Sequence, residues 1–276
     1  MRVYFFDTHA HIQRSRRAHV QELPNLLQNA TDAGVRAILV PAVSPEDWPE
    51  LPKLVQLTGP RMVFSLGLHP YCVSEIKSEA LGDLLSKLQF QLSSVLPAAH
   101  AVGECGLDFR QAPGAPARAH QVACFRGQLE IARTLGLPLT LHCVGAHGAM
   151  LELLRERPTP PSVLHAFSGS AEVGRQLVAM GHYLSFAGNL CIPGARKVVE
   201  AARSVPAERM LIETDAPDQT PPGRRPAPNE PAFVVDVAAR LAEVRGESLE
   251  SVAAQTWTNA CRVFGLADDD LAARNE

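Results

Sequence analysis

One periodicity governs this chain: a short apolar run followed by an amphipathic stretch of helical length, repeated about eight times in about 215 residues. The runs are VYFF (3–6), VRAILV (35–40), MVFSLG (62–67), AHAVGE (99–104), LPLTLH (137–142), SVLHAF (162–167), HYLSFA (182–187) and RMLIET (209–214). They are rich in β-branched and aromatic residues, as strands covered on both faces are. Between them, Pro24–Ala33 gathers Leu26, Leu27 and Ala30 on one side and stops at Gly34. Leu81–Leu92 carries leucine at 81, 84, 85, 88 and 92, and Phe125–Leu135 and Ala171–Met180 behave alike. Strand–helix alternation at this pitch implies a parallel sheet with right-handed crossovers. Eight units predict a closed (β/α)8 TIM barrel, one domain over residues 1–266. An open doubly wound sheet would carry a Gly-rich phosphate turn after its first strand, where this chain has DTHAH. Two further helices, 232–245 and 248–264, are expected to wrap the barrel, and residues 267–276 to form a polar tail that frays.

With 46% hydrophobic residues the chain can build a large core. Its 26 basic and 29 acidic side chains leave a net charge of −3, so no global positive field holds nucleic acid, and such a partner must be gripped locally. The run VYFF is too short for a signal peptide or membrane span. Cysteines 72, 105, 124, 143, 191 and 261 form no CxxC pair, which predicts free thiols in a reducing, cytoplasmic setting. Neither a membrane nor an obligate protein partner is expected.

The unusual polar residues gather at the C-terminal ends of these strands: Asp7, His9 and His11 after the first, His69 after the third, Glu104 and Asp108 after the fourth. His142 follows on the fifth, His165 on the sixth, and Glu213 and Asp215 on the eighth. In a (β/α)8 barrel those ends form the face on which active sites are built. His9 and His11 are two residues apart, so both side chains point into the barrel mouth, where one ion could accept both. Four histidines and two carboxylates at strand ends need buried partners, and metal supplies them.

The motifs DTHAH, GLHP, GECGLDF, LHC, HAFSG and ETDAP, in this order, resemble those of the TatD family of metal-dependent hydrolases, within the amidohydrolase superfamily, whose nucleic-acid members are deoxyribonucleases. The resemblance spans about residues 1–265 and implies a (β/α)8 barrel with two divalent ions, zinc, manganese or magnesium. It also implies that His9 and His11 hold the first ion with Glu104 and Asp215, and that Glu104 bridges to a second ion held by His142 and His165. Related barrels commonly bridge their metals with a carbamylated lysine; here strand four offers a carboxylate instead. Strand five departs from the family pattern: where many members read IHSRDA this chain has LHCVGA, keeping the histidine and losing the Arg-Asp pair. Cys105, where isoleucine is common, reads as packing.

The expected chemistry is hydrolysis of a phosphodiester in DNA, at ends or in short single strands, by metal-activated water. Asp215 and Glu104 are expected to be catalytic, Asp215 as general base, with His69 on the scissile phosphate or leaving group. Asp7 and Glu213 would orient neighbouring histidines. Substrate contacts are expected from Arg14, with Arg16 and Arg17 beside it, from Arg110, and from Arg224 and Arg225 in the Pro-rich loop. Phe109 or Phe186 could stack on a base, and His147 reads as a surface-loop residue. The alternative is a superfamily hydrolase of a small ester, amide or phosphoester, because substrate choice lives in loops.

Overall fold

A computed structural model describes residues 3–13, 22–95 and 98–267. Each apolar run supplies one strand of a single parallel sheet in sequential order: β1 (Phe5–Asp7), β2 (Val35–Pro41), β3 (Arg61–Leu66), β4 (Ala101–Asp108), β5 (Leu139–Val144), β6 (Val163–Leu164), β7 (Tyr183–Phe186) and β8 (Met210–Ile212). The ring closes just beyond β1 and β8. There Asp215 N–H donates to the His9 carbonyl (2.9 Å), His11 N–H donates to the Ala216 carbonyl (2.7 Å), and Ala10 bridges Ala216 in parallel.

The helices are α1 (Leu23–Asp32), α2 (Pro70–Val73), α3 (Leu81–Ser94), α4 (Ala115–Leu135), α5 (His147–Glu156), α6 (Ala171–Ala179), α7 (Arg196–Ser204), α8 (Val234–Arg245) and α9 (Leu249–Phe264). No helix among the described residues is long and apolar enough to cross a membrane. All six cysteines are free thiols.

Departures from the expected boundaries have local causes. β4 continues to Asp108, so Glu104 lies inside the strand rather than at its end. Its pairing with β5 shifts register between Val102 and Cys105, a bulge that two glycines permit. Gly103 and Gly106 hold φ of 149° and 133°, and a Cβ there would stand 2.0 Å from Thr140 Oγ1 and 2.1 Å from the His142 carbonyl. β6 ends after two residues because the chain turns at Ala166, φ 42°, whose N–H donates to Glu213 (2.6 Å). α4 begins at Ala115, ten residues before the periodic segment, with Pro116 in its first turn.

The barrel interior is layered. Phe6, Val63, Ala101, Val163, Tyr183 and Leu211 form an apolar floor with α9, which turns across the N-terminal end of the barrel instead of wrapping it. Phe6 packs against Trp257 and Phe264 of that helix, with ring centroids 6.1 and 5.9 Å away. α8 does cover the outside, burying Val234, Val237, Ala238 and Leu241. Above the floor lies a hydroxyl layer, with Thr8 on Ser185 (3.0 Å) and Ser65 on Thr140 (3.3 Å). Strand periodicity then places Glu104, His142, His165 and Glu213 one layer higher, at the mouth.

Candidate active site

Glu104 is the hub of the mouth, with 1% of its surface exposed. Its Oε1 lies 2.9 Å from His142 Nδ1, 2.8 Å from His165 Nε2 and 3.0 Å from His69 Nε2. Its Oε2 lies 3.1 Å from both His9 Nε2 and His11 Nε2. Asp215 Oδ1 faces the same two histidines at 3.8 and 3.9 Å. All six side chains named as metal ligands therefore meet at one point, in two groups divided by the two oxygens of Glu104.

The donor chemistry fits cations. The Nε2 atoms of His9 and His11 stand 3.2 Å apart, and His142 Nδ1 is 3.1 Å from His165 Nε2. Two nitrogens each about 2.1 Å from one tetrahedral ion lie about 3.4 Å apart, so gaps of this size are compatible with shared coordination. The buried donors also fall into groups whose ligand atoms lie within 4.8 Å of one another, including His9–His11–Asp215 and His9–Glu104–His165. A third such group, His69–Glu104–His142, includes a residue outside the expected set.

His69 is set apart by its own hydrogen bonds. Its Nδ1 accepts the N–H of Tyr71 (3.0 Å), so the neutral ring carries its proton on Nε2, the atom facing Glu104. It is a donor toward the centre, whereas a ligand must offer a lone pair.

The outer nitrogens show what orients the rings. His142 Nε2 lies 3.2 Å from Asp108 Oδ2, and His165 Nδ1 lies 3.4 Å from Glu213 Oε1, within ion-pair reach but outside hydrogen-bond geometry. Asp7 does not orient His9: its carboxylate accepts Thr214 N–H (2.9 Å), Thr214 Oγ1–H (2.6 Å) and the His9 backbone N–H (3.3 Å), tying β1 to the end of β8. The Nδ1 atoms of His9 and His11 are buried without a hydrogen-bond partner among the described residues.

Burial would raise the Glu104 carboxyl, but the imidazoles of His69, His165 and His9 outweigh it and hold the group well below the usual carboxylate range. Burial would lower His165, yet Glu104 and Glu213 hold it well above the ordinary histidine value. His142 is likewise raised against burial, by hydrogen bonds to Asp108 and Glu104, while burial leads in lowering His9 and His69. Burial pushes Asp7 up to about 8, against its hydrogen bonds from Thr214 and His9.

Sequence reasoning gave no role to four residues around this centre. Asp108 shares strand parity with Glu104, a signal that was there to use. Gln219 donates to Asp215 Oδ2 (2.6 Å), and both adopt left-handed backbone, φ 55° and 58°. Tyr71, half exposed, sets its ring 4.5 Å from His69 and 6.1 Å from His142. Lys197 lines the cavity beside the cluster with Arg110 and His147. His147 is half-buried at the start of α5, not on a surface loop.

The expected substrate contacts separate. Arg110 lines the cavity. Arg224 is bound by Asp236 through two hydrogen bonds (2.6 and 3.1 Å) and lies over Phe233, so its guanidinium is engaged away from the histidines. Arg225 donates to the Thr220 carbonyl (3.3 Å). Arg14, Arg16 and Arg17 lie outside the described residues. Phe186 is fully buried and Phe109 half-buried beneath Arg118, so neither offers a free face for a base.

Comparison with known proteins agrees with this geometry. The family described as TatD related DNase matches residues 6–265. A Haemophilus influenzae protein named as an uncharacterized metal-dependent hydrolase is 31% identical over 266 residues, covering 95% of this chain and 100% of that protein. The 3'-5' ssDNA/RNA exonuclease TatD of Escherichia fergusonii is 33% identical over 250 residues, covering 88% of this chain and 93% of the relative. The crystal structure of a TatD homologue from Escherichia coli K12 superposes with a TM-score of 0.84 at 30% identity, covering 95% of this chain and 98% of that one.

Proposed function

This chain belongs to the TatD family of metal-dependent hydrolases, and from that premise we propose that it is a nuclease cleaving phosphodiester bonds at the ends of DNA or in short single strands. The single observation that carries the reading is Glu104, whose two oxygens divide five imidazoles into two groups 2.8 to 3.1 Å away. Such a divided donor set suits two divalent cations, the first with His9, His11, Glu104 and Asp215, the second with Glu104, His142 and His165. Imidazole-rich coordination suits zinc or manganese, and the carboxylates with a phosphate substrate also accommodate magnesium. When bound, the cations lower the pKa of a water and neutralise the charge of the phosphodiester.

The chain's own side chains account for the rest. Asp215 is the general base: Oδ1 faces His9 and His11, while Oδ2, held by the Gln219 amide, keeps a second lone pair for the water's proton. His69 Nε2–H, fixed in that tautomer by Tyr71 N–H, donates to the scissile phosphate or the departing oxygen. Asp108 holds the His142 ring so that Nδ1 points inward. The exposed ring of Tyr71 beside these groups is a surface on which an unpaired base can stack.

The strand-five loop favours one second reading, hydrolysis of a small ester, amide or phosphoester, since it lacks the Arg-Asp pair common in the family. One assay separates the two. Metal-loaded protein is given end-labelled single-stranded DNA, a bis-phosphoester and acylated compounds, and its metals are counted by elemental analysis. A ladder shortened by single nucleotides, with two ions per chain, is expected. Turnover confined to the acylated compounds overturns the nuclease reading.

A further inference from the structure

Beside the cluster opens a cavity of about 380 Å³ whose walls begin with His142, His165 and Asp215 and continue to Arg110, His147 and Lys197. Asp215 is the one carboxylate among its described lining residues, and the mechanism already uses it. Elsewhere arginines are matched by acids: Arg126 to Glu156 (2.8 Å), Arg133 to Glu130 (2.6 Å), Arg175 to Glu172 (2.6 Å), Arg240 to Glu243 (2.6 Å) and Arg224 to Asp236 (2.6 Å). Arg110 and Lys197 have no carboxylate partner among the described residues.

Both cations reach the cavity for structural reasons. Arg110 extends over Gly145, where a Cβ would already stand 3.8 Å from its Cγ and where the backbone holds φ 66°. The positive φ favours glycine at 145, and the aliphatic stem of Arg110 packs alongside it. Lys197 is the second residue of α7 and stands close enough to His147 that, after burial, its ammonium helps hold that imidazole below the ordinary range. α5 starts at His147 with no side-chain cap, so its first N–H groups add positive potential beside the two cations. Unpaired cations next to uncapped amides, in a cavity continuous with the catalytic cluster, are arranged to receive an anion.

We propose that Arg110 and Lys197 form a second phosphate site, which holds the phosphate one nucleoside away from the scissile one. This rests on the nuclease reading and narrows its substrate to nucleotide chains carrying at least two phosphates, as opposed to an isolated diester. The placement suits a strand crossing the mouth. Tyr71 follows β3, Arg110 follows β4 and Lys197 follows β7, so the clamp reaches from the strand next to the base platform to the strand opposite it in the ring of eight.

The test is calorimetric titration of the manganese-loaded protein with thymidine 3',5'-bisphosphate, and separately with the 3'- and 5'-monophosphates. The wild type should bind the bisphosphate at least about tenfold more tightly than either monophosphate. Lys197→Ala and Arg110→Ala should each reduce that advantage severalfold, and Lys197→Arg, which keeps the charge, should preserve it. Equal affinity of the wild type for one and two phosphates overturns the proposal, as does an undiminished preference in the double Ala variant. The nuclease reading fails separately. A wild type that prefers the bisphosphate yet yields no ladder keeps the site and loses that reading, whereas a ladder without the preference removes the site alone.

Discussion

His142 turns Nδ1 toward Glu104, at 2.9 Å, while His165, just past the end of the next strand, turns Nε2 toward the same oxygen, at 2.8 Å. Two imidazoles thus converge on one atom through opposite nitrogens. The inversion at His142 is held by Asp108, which takes the other nitrogen at 3.2 Å and is itself anchored by the N–H groups of Arg110 (3.0 Å) and Gln111 (3.2 Å).

Asp108→Asn should therefore loosen one metal position without dismantling the site. Removing an acceptor of this kind costs about 10–100-fold in metal affinity. A competitive chelator titration should show one of the two ions weakened by that amount and the other retained. Two unchanged affinities would show that His142 needs no such anchor.

Glu104→Ala should remove both groups of ligands at once. Elemental analysis should find neither ion retained after dialysis, and cleavage should fall to the blank. A variant that hydrolyses at the wild-type rate with no ions bound would refute the metal mechanism.

His69→Gln tests the distinction between donor and ligand. The proton on Nε2 makes it a donor to substrate, so kcat should drop about 10²–10⁴-fold, the range for a positioned proton-transfer group. Metal content should stay at the wild-type level; loss of an ion would make His69 a ligand after all.

Tyr71→Ala should raise KM on single-stranded DNA, because base stacking on an aromatic ring is worth about 1–3 kcal/mol. Tyr71→Phe, which keeps the ring, should leave KM near wild type. If both variants behave alike, the ring is not a platform.

His182 predicts an acid limb in stability. It is 2% exposed, its Nδ1 accepts Ser162 N–H (3.3 Å), and burial, with Arg209 nearby, lowers it to about 4. The unfolded chain protonates this group near 6.5. Above that pH neither state binds the proton and the contribution to stability is complete. As pH falls from 6.5 toward 4 the unfolded state takes up the proton first, and up to about 3 kcal/mol is lost. Urea midpoints measured from pH 7 to 4 should decline less steeply in His182→Gln; parallel curves would assign the acid limb elsewhere.

Most of the architecture was legible because parallel strands buried on both faces are written as unbroken apolar runs, and His9 with His11 advertised their common direction through strand parity. Other features depend on contacts between distant segments. Asp7 has the parity to sit beside His9, but its carboxylate is taken by Thr214, 207 residues away, across a seam invisible in local sequence. Lys197 and Gln219 enter the mouth from loops and a helix start whose direction no period specifies. α7 escaped notice because four of the nine residues in RKVVEAARS are charged and only Val198, Ala201 and Ala202 are buried. Arg224 shows another contact that the local sequence does not announce, its pairing with Asp236 twelve positions on.

His9 and His11 stand near the start of the chain and Asp215 well beyond its middle, and they meet only where β1 joins β8. A truncated polypeptide that stops before residue 210 keeps β2 beside β1 but has no strand to close the ring on its other edge, and no third donor for the first histidine pair. Such a fragment should show no hydrolysis, because these three donors assemble only when the last strand docks. A cation held by these three residues would act as a clasp, fastening the two edges of the cylinder that no loop connects.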